Sequence, residues 1–146
     1  MARFFTLEQA EKLLPGVESN LREAILLKAE YQQAESEMQR ANRHIVMSGG
    51  VLVDREQAIH QKEGRDSCLT RLKESIDRIH DIGCVIKDLD IGLVDFPTQL
   101  RGEEVYLCWK LGEPGIRFWH GVHEGFAGRK LVDQDFLDNH RGERAN

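Results

Sequence analysis

Asp95, Tyr106 and His120 fall on three successive segments that are rich in β-branched and aromatic residues. Segments of that composition, bounded by turn residues, read as strands. If the two hairpin registers follow the intervening turns, Asp95 lies near Tyr106, Tyr106 lies opposite His120, and all three share one face of a sheet. A carboxylate, a phenol and an imidazole in a row make a hydrogen-bonded acid/base unit. Asp95 and His120 also supply two ligands for a divalent metal ion. A one-residue slip in the second turn would carry His120 to the opposite face. The competing reading is a Tyr–His–Asp network that satisfies buried polar groups and binds nothing.

Other residues extend the set. His123 follows His120 closely enough to swing toward a metal held there, although His120-Gly121-Val122-His123-Glu124 is not the HExxH pattern of a zinc helix. A solvated loop histidine is the plainer reading. Gly125-Phe126-Ala127-Gly128-Arg129-Lys130 is a short glycine loop ending in two cations, with Arg129 a candidate for holding an anion. It lacks the Lys-Ser or Lys-Thr ending of a P-loop, so a structural turn competes. Asp88, Asp90 and Glu113 are further oxygen donors. Asp88-Leu89-Asp90 lacks the remaining ligands of a calcium loop and reads as a turn cap. Cys68, Cys84 and Cys108 form no CxxC pair. Cys108, two residues past Tyr106, reads as lining the sheet.

The elements that would position these groups begin with a capping box, Thr6 with Gln9, which starts a helix near Leu7. Pro15 predicts a kink or short break in it. Val17, Leu21, Ala24, Tyr31, Met38 and Ile45 then follow a heptad seam. The alternate seam positions, Leu14, Leu21, Lys28, Glu35 and Asn42, turn polar halfway along. Gly49-Gly50 ends this helix, and Asp54 with Gln57 caps a second one carrying Leu69, Leu72, Ile76 and Ile79 up to Gly83. The expected result is an antiparallel hairpin of two similar helices, about 45 Å each at 1.5 Å per residue, apolar at its open end and polar at its tip. Beyond Gly83 the period becomes strand-like: Cys84–Lys87, Gly92–Phe96, Glu104–Lys110 and Ile116–His120, linked as an antiparallel meander. Val94, Phe96, Val105, Leu107, Trp109 and Trp119 would form its apolar face. The fold class is thus α+β, with residues 1–83 as hairpin, 84–132 as meander and glycine loop in one domain, and 133–146 as a polar, frayed tail.

The β-half is also the most specific stretch of sequence. Gly92-Leu93-Val94-Asp95-Phe96-Pro97, Val105 to Pro114, Phe118-Trp119-His120 and Gly125-Phe126-Ala127-Gly128-Arg129, with Phe4-Phe5-Thr6-Leu7-Glu8 and Leu13-Leu14-Pro15, resemble the bacterial family called domain of unknown function 2203. The resemblance runs from about Arg3 to Val132, except for Gln33 to Glu63, and carries no catalytic residues with it.

Composition narrows the function classes. No apolar run approaches the roughly 20 residues of a membrane span, and the first residues do not read as a secretory signal. The net charge is −5, with 12 basic and 14 acidic residues up to Gly83 and 8 and 11 after it. That even spread shows no basic stripe for nucleic acid. Three scattered cysteines suit a reducing, cytoplasmic compartment. Two expectations result. The first is a non-catalytic binding or structural module that self-associates as a homodimer, since two helices alone cannot cover the seam and the flanking Ile25, Leu26 and Leu27. The second is a metal-binding protein, with enzymatic activity left open, that uses Asp95, His120 and His123 with a divalent metal ion.

Overall fold

Thr6 and Gln9 cap each other as their spacing predicts: the Thr6 amide donates to Gln9 Oε1 at 2.9 Å and the Gln9 amide to Thr6 Oγ1 at 3.1 Å. Helix α1 therefore starts at Leu7 and, in this computed structural model, runs to Met47. The structure describes residues 3–47, 49 and 54–142. Pro15 lies inside α1 and does not interrupt it. Of the kink or short break expected there, the break is absent, and the two helices are unequal: 41 residues in α1 against 28 in α2, Arg55–Ile82. The second cap forms too, with the Gln57 amide donating to Asp54 Oδ1. Gly49 takes φ +74° at the first stop, and Gly50 lies outside the described residues.

Two units make up the chain. One holds the residues up to Leu21 and those from Ile76 onward; the other is Arg22–Ser75. In the second unit the helices pair antiparallel. Glu23 meets Arg71, Glu30 accepts from the Cys68 thiol, and Glu35 takes Arg65 at 2.8 Å. Its buried side chains are Ala24, Leu27, Leu72 and Ser75. None of the described residues from Lys28 to Arg71 is buried.

The first unit carries the sheet. Its strands are β1 Val85–Asp88, β2 Leu93–Leu100, β3 Glu103–Lys110, β4 Phe118–Gly121 and β5 Lys130–Leu131, side by side in that order and antiparallel. A sixth, β6 His140–Arg141, pairs with the far end of β2. Gly92 makes the turn into β2 possible: its φ is +71°, and a Cβ there would stand 2.6 Å from Leu111 Cβ. Pro97 sits within β2 without an N–H, yet its carbonyl accepts from the Phe5 amide at 2.8 Å.

Strand pairing fixes which residues share a face. Val94 opposes Trp109, Phe96 opposes Leu107, and Leu107 opposes Trp119. This is the apolar face expected from alternation, and Phe5 meets Phe96 edge-on at 5.7 Å between ring centroids. Phe136 covers Trp119 at 5.2 Å and is itself buried. That contact corrects the expectation of a frayed tail for residues 133–142; 143–146 lie outside the described residues. Asp133 caps a short helix α3, Gln134–Asn139, and β6 follows it. A single aromatic anchor with a cap orders a stretch whose composition is polar.

Candidate functional site

The other face of the sheet holds the polar residues. Register places Asp95 opposite Cys108 and Tyr106 opposite His120. Asp95 on β2 and His120 on β4 are separated by β3, so their backbones stand about 10 Å apart at two strand spacings. They nevertheless touch, with His120 Nε2 3.0 Å from Asp95 Oδ1. The imidazole reaches diagonally over β3, where Cys108 is a small side chain lying between them. Asp95, Cys108 and His120 are all at most 2% exposed. One donor atom from each lies within 4.8 Å of the other two.

The imidazole is oriented from both sides. Nδ1 lies 2.8 Å from the Gly121 carbonyl, which can only accept, so Nδ1 carries the hydrogen. Nε2 then faces the Asp95 carboxylate, and one further hydrogen must lie between those two atoms for the contact to hold. Gly121 serves twice. Its N–H donates to Glu124 Oε1 at 2.9 Å, and a Cβ there would sit 2.8 Å from that oxygen. Lys130 and the Gly121 amide together hold the Glu124 carboxyl below its usual range.

Cys108 is a thiol in this setting. Burial first, then the charge of Asp95, push it up to about 12, against a smaller opposing pull from Arg129. At neutral pH it is a poor nucleophile. Arg129 closes the site. Its guanidinium lies 3.9 Å over the Phe118 ring and 4.6 Å over Phe126, donates to both carboxylate oxygens of Glu113, and brings Nη1 to 4.0 Å from Cys108 Sγ. Burial opposes its charge most strongly, but Glu113 and Cys108 together outweigh it and raise Arg129 above its ordinary range.

Several expected roles change in the light of these contacts. Tyr106 lies beside His120, with ring centroids 5.5 Å apart, but its hydroxyl turns to Glu104 at 3.4 Å. It adds no hydrogen bond to the Asp–His pair, and Cys108 takes the position opposite Asp95 that the row of three had left to Tyr106. His123 is exposed and does not join the cluster. Arg129 is paired with Glu113, and the backbone amides of Gly128 and Arg129 bond within their own turn, so these three groups are already occupied. Glu113 is likewise occupied, since its carboxylate also accepts from the Lys110 amide. Asp88 is the turn cap, accepting from the amides of Asp90 and Ile91. The part played by Cys108 was the residue missed. Its signal was the period of two from Tyr106, which puts both on one face.

The chain belongs to the family of uncharacterized conserved proteins DUF2203, which it matches over residues 3–132. No curated protein and no solved structure matches it.

Proposed function

We propose that this member of the DUF2203 family binds a divalent transition metal, zinc by preference, through His120 Nε2, the Asp95 carboxylate and Cys108 Sγ. The observation that carries the reading is the convergence of three buried donor atoms, from three adjacent strands, within 4.8 Å of one another. Metal–ligand bonds of about 2.0–2.3 Å set tetrahedral donors about 3.3–3.8 Å apart, so a small inward adjustment suffices. A mixed nitrogen, oxygen and sulfur set suits a borderline-soft ion over magnesium or calcium. The Nδ1 anchor on Gly121 supports it further, because metal-bound histidines are held in this way by the nitrogen that does not ligate. The ion would replace the hydrogen between Nε2 and Asp95 and the thiol hydrogen of Cys108. Arg129 stands where it would stabilise the thiolate. Three protein donors leave one position for water or substrate, the arrangement of catalytic zinc sites.

The rival account is a self-sufficient polar network. Among the described residues no buried side-chain nitrogen or oxygen lacks a partner. Elemental analysis of tag-free protein, followed by zinc titration of the chelator-treated chain, separates the two. The metal reading expects about one ion per chain, lost in His120→Ala and Cys108→Ser with the fold retained. No uptake by the wild type, together with a stability loss of about 1–3 kcal/mol in His120→Ala, would leave only the network.

A second reading, a self-associating module, is favoured by a different observation: the lack of any buried side chain among the described residues from Lys28 to Arg71. Such a helix pair leaves its apolar stripe uncovered unless another surface meets it. Under either reading a reducing, cytoplasmic setting suits the three free cysteines, and no helix among the described residues is long and apolar enough to cross a membrane.

A further inference from the structure

The helical unit keeps an apolar repeat that it does not bury. Tyr31, Ala34, Met38, Ala41 and Ile45 recur in steps of three and four along α1, and each is half-buried. On α2 up to Ser75 the half-buried positions are Gln61, Arg65, Cys68 and Leu69. Two helices lying together cover one line of contact and leave both flanks of such a stripe wet. Toward the tip a groove of about 320 Å³ opens between them, with Met38, Ala41, Ile45 and Ala58 among its walls. Leu26 and Ile59 are more than half exposed.

Charge on the same stretch of α1 is laid out in blocks. From Ala29 to Gln39 the only charged residues are Glu30, Glu35 and Glu37; from Arg40 to Met47 they are Arg40 and Arg43, with His44 beside them. Between Ala29 and Met47 only Glu37 and Arg40 are spaced to pair within the helix, at i and i+3. α2 instead interleaves its signs, as in Arg55-Glu56, Lys62-Glu63 and Arg65-Asp66. Blocks of opposite sign on one helix match a second copy laid antiparallel. A two-fold axis near Met38 would set Glu30 toward Arg43 of the other copy and Glu37 toward Arg40, twice over by symmetry, while Glu35 stays with Arg65 of its own hairpin.

We propose that Arg22–Ser75 is a homodimerisation element in which α1 packs antiparallel on α1 of a second copy about an axis near Met38. It rests on the self-association reading above and adds the surface and its orientation. The second copy completes a four-helix bundle over the Tyr31–Ile45 stripe and fills the groove at the tip. Orientation comes from the charge blocks, because antiparallel pairing puts unlike blocks together and parallel pairing puts like blocks together.

Sedimentation of the full chain at micromolar concentration tests this, with three variants: Arg40→Glu/Arg43→Glu, Glu30→Lys/Glu37→Lys, and the four changes combined. Circular dichroism checks that helix content is kept. The wild type should sediment as a dimer. Each double variant faces like charge with like and should dissociate about tenfold or more readily, an effect weakened by salt. The fourfold variant exchanges the signs of both cross-copy pairs and should recover the wild-type dimer. A wild-type monomer at every concentration overturns both the proposal and the self-association reading. A wild-type dimer that neither double variant weakens, or that the fourfold variant fails to restore, overturns the antiparallel α1 contact while self-association stands.

Discussion

The two units differ in where their apolar residues end up. In the sheet-bearing unit, Phe5, Val17, Leu21, Phe96, Leu107, Trp109 and Phe136 are at most 4% exposed, and even Asp95, Thr98 and His120 are enclosed. In the helical unit, burial stops at Leu27 on α1 and Leu72 on α2. Both carry regular apolar periodicity, so periodicity alone does not produce a core. A sheet face offers a broad surface that helices and a terminal segment can cover. A helix pair offers a narrow seam, and a heptad that places Lys28, Glu35 and Asn42 on one side of it leaves only half a seam to bury.

The largest contrast should appear on truncating one side chain in each unit. Phe96→Ala removes a fully buried ring from the apolar face and should cost about 3–5 kcal/mol in denaturant unfolding. Met38→Ala should cost well under half of that, and under the proposed α1–α1 contact its cost should grow with protein concentration. Equal costs at all concentrations would erase the distinction between the units.

A smaller effect probes the polar face. The Cys108 thiol is pushed up to about 12, and a metal needs the thiolate. Below that value each rise of one pH unit increases the thiolate fraction tenfold, so zinc affinity should climb by about tenfold per unit from this proton alone. The hydrogen between His120 and Asp95 adds to the slope if the ion displaces it as well. Isothermal titration across neutral pH reads the slope. A flat profile would remove Cys108 from the ligand set.

The smallest effect concerns the terminal segment. The Leu7 amide at the first turn of α1 donates to His140 Nε2 at 3.0 Å, while His140 Nδ1 faces the Leu137 carbonyl and its ring stacks on Phe136. His140→Ala should lower stability by about 1 kcal/mol. It should also speed amide exchange across 133–142 more than elsewhere. Unchanged protection there would mean that Phe136 alone holds the segment.

Much of this was legible before the fold. The caps at Thr6 and Asp54 form because a side-chain oxygen three residues upstream of an amide is a local geometry. The division of the sheet into a Val94–Phe96–Leu107–Trp109 face and an Asp95–Tyr106–His120 face follows from the period of two. At Pro15 the chain does not break, because a proline within a long helix costs one hydrogen bond and some crowding, and Val17 and Leu21 just beyond it are fully buried. The tail misled because one phenylalanine in a polar stretch gives no periodic signal.

The residues by themselves determined the α+β class, the helix starts, and the face on which Asp95 and His120 stand. These depend on backbone geometry repeated over neighbouring positions, which a linear string records. Tertiary structure alone decided that His120 reaches across β3 to Asp95, that Cys108 is the small residue allowing it, and that Glu113 occupies Arg129. Those outcomes depend on side-chain length and direction across strands far apart in the chain, where alternation gives a face but no distance. It also decided that the α1 stripe is only half covered within its own hairpin, because coverage is a property of the surfaces that meet there.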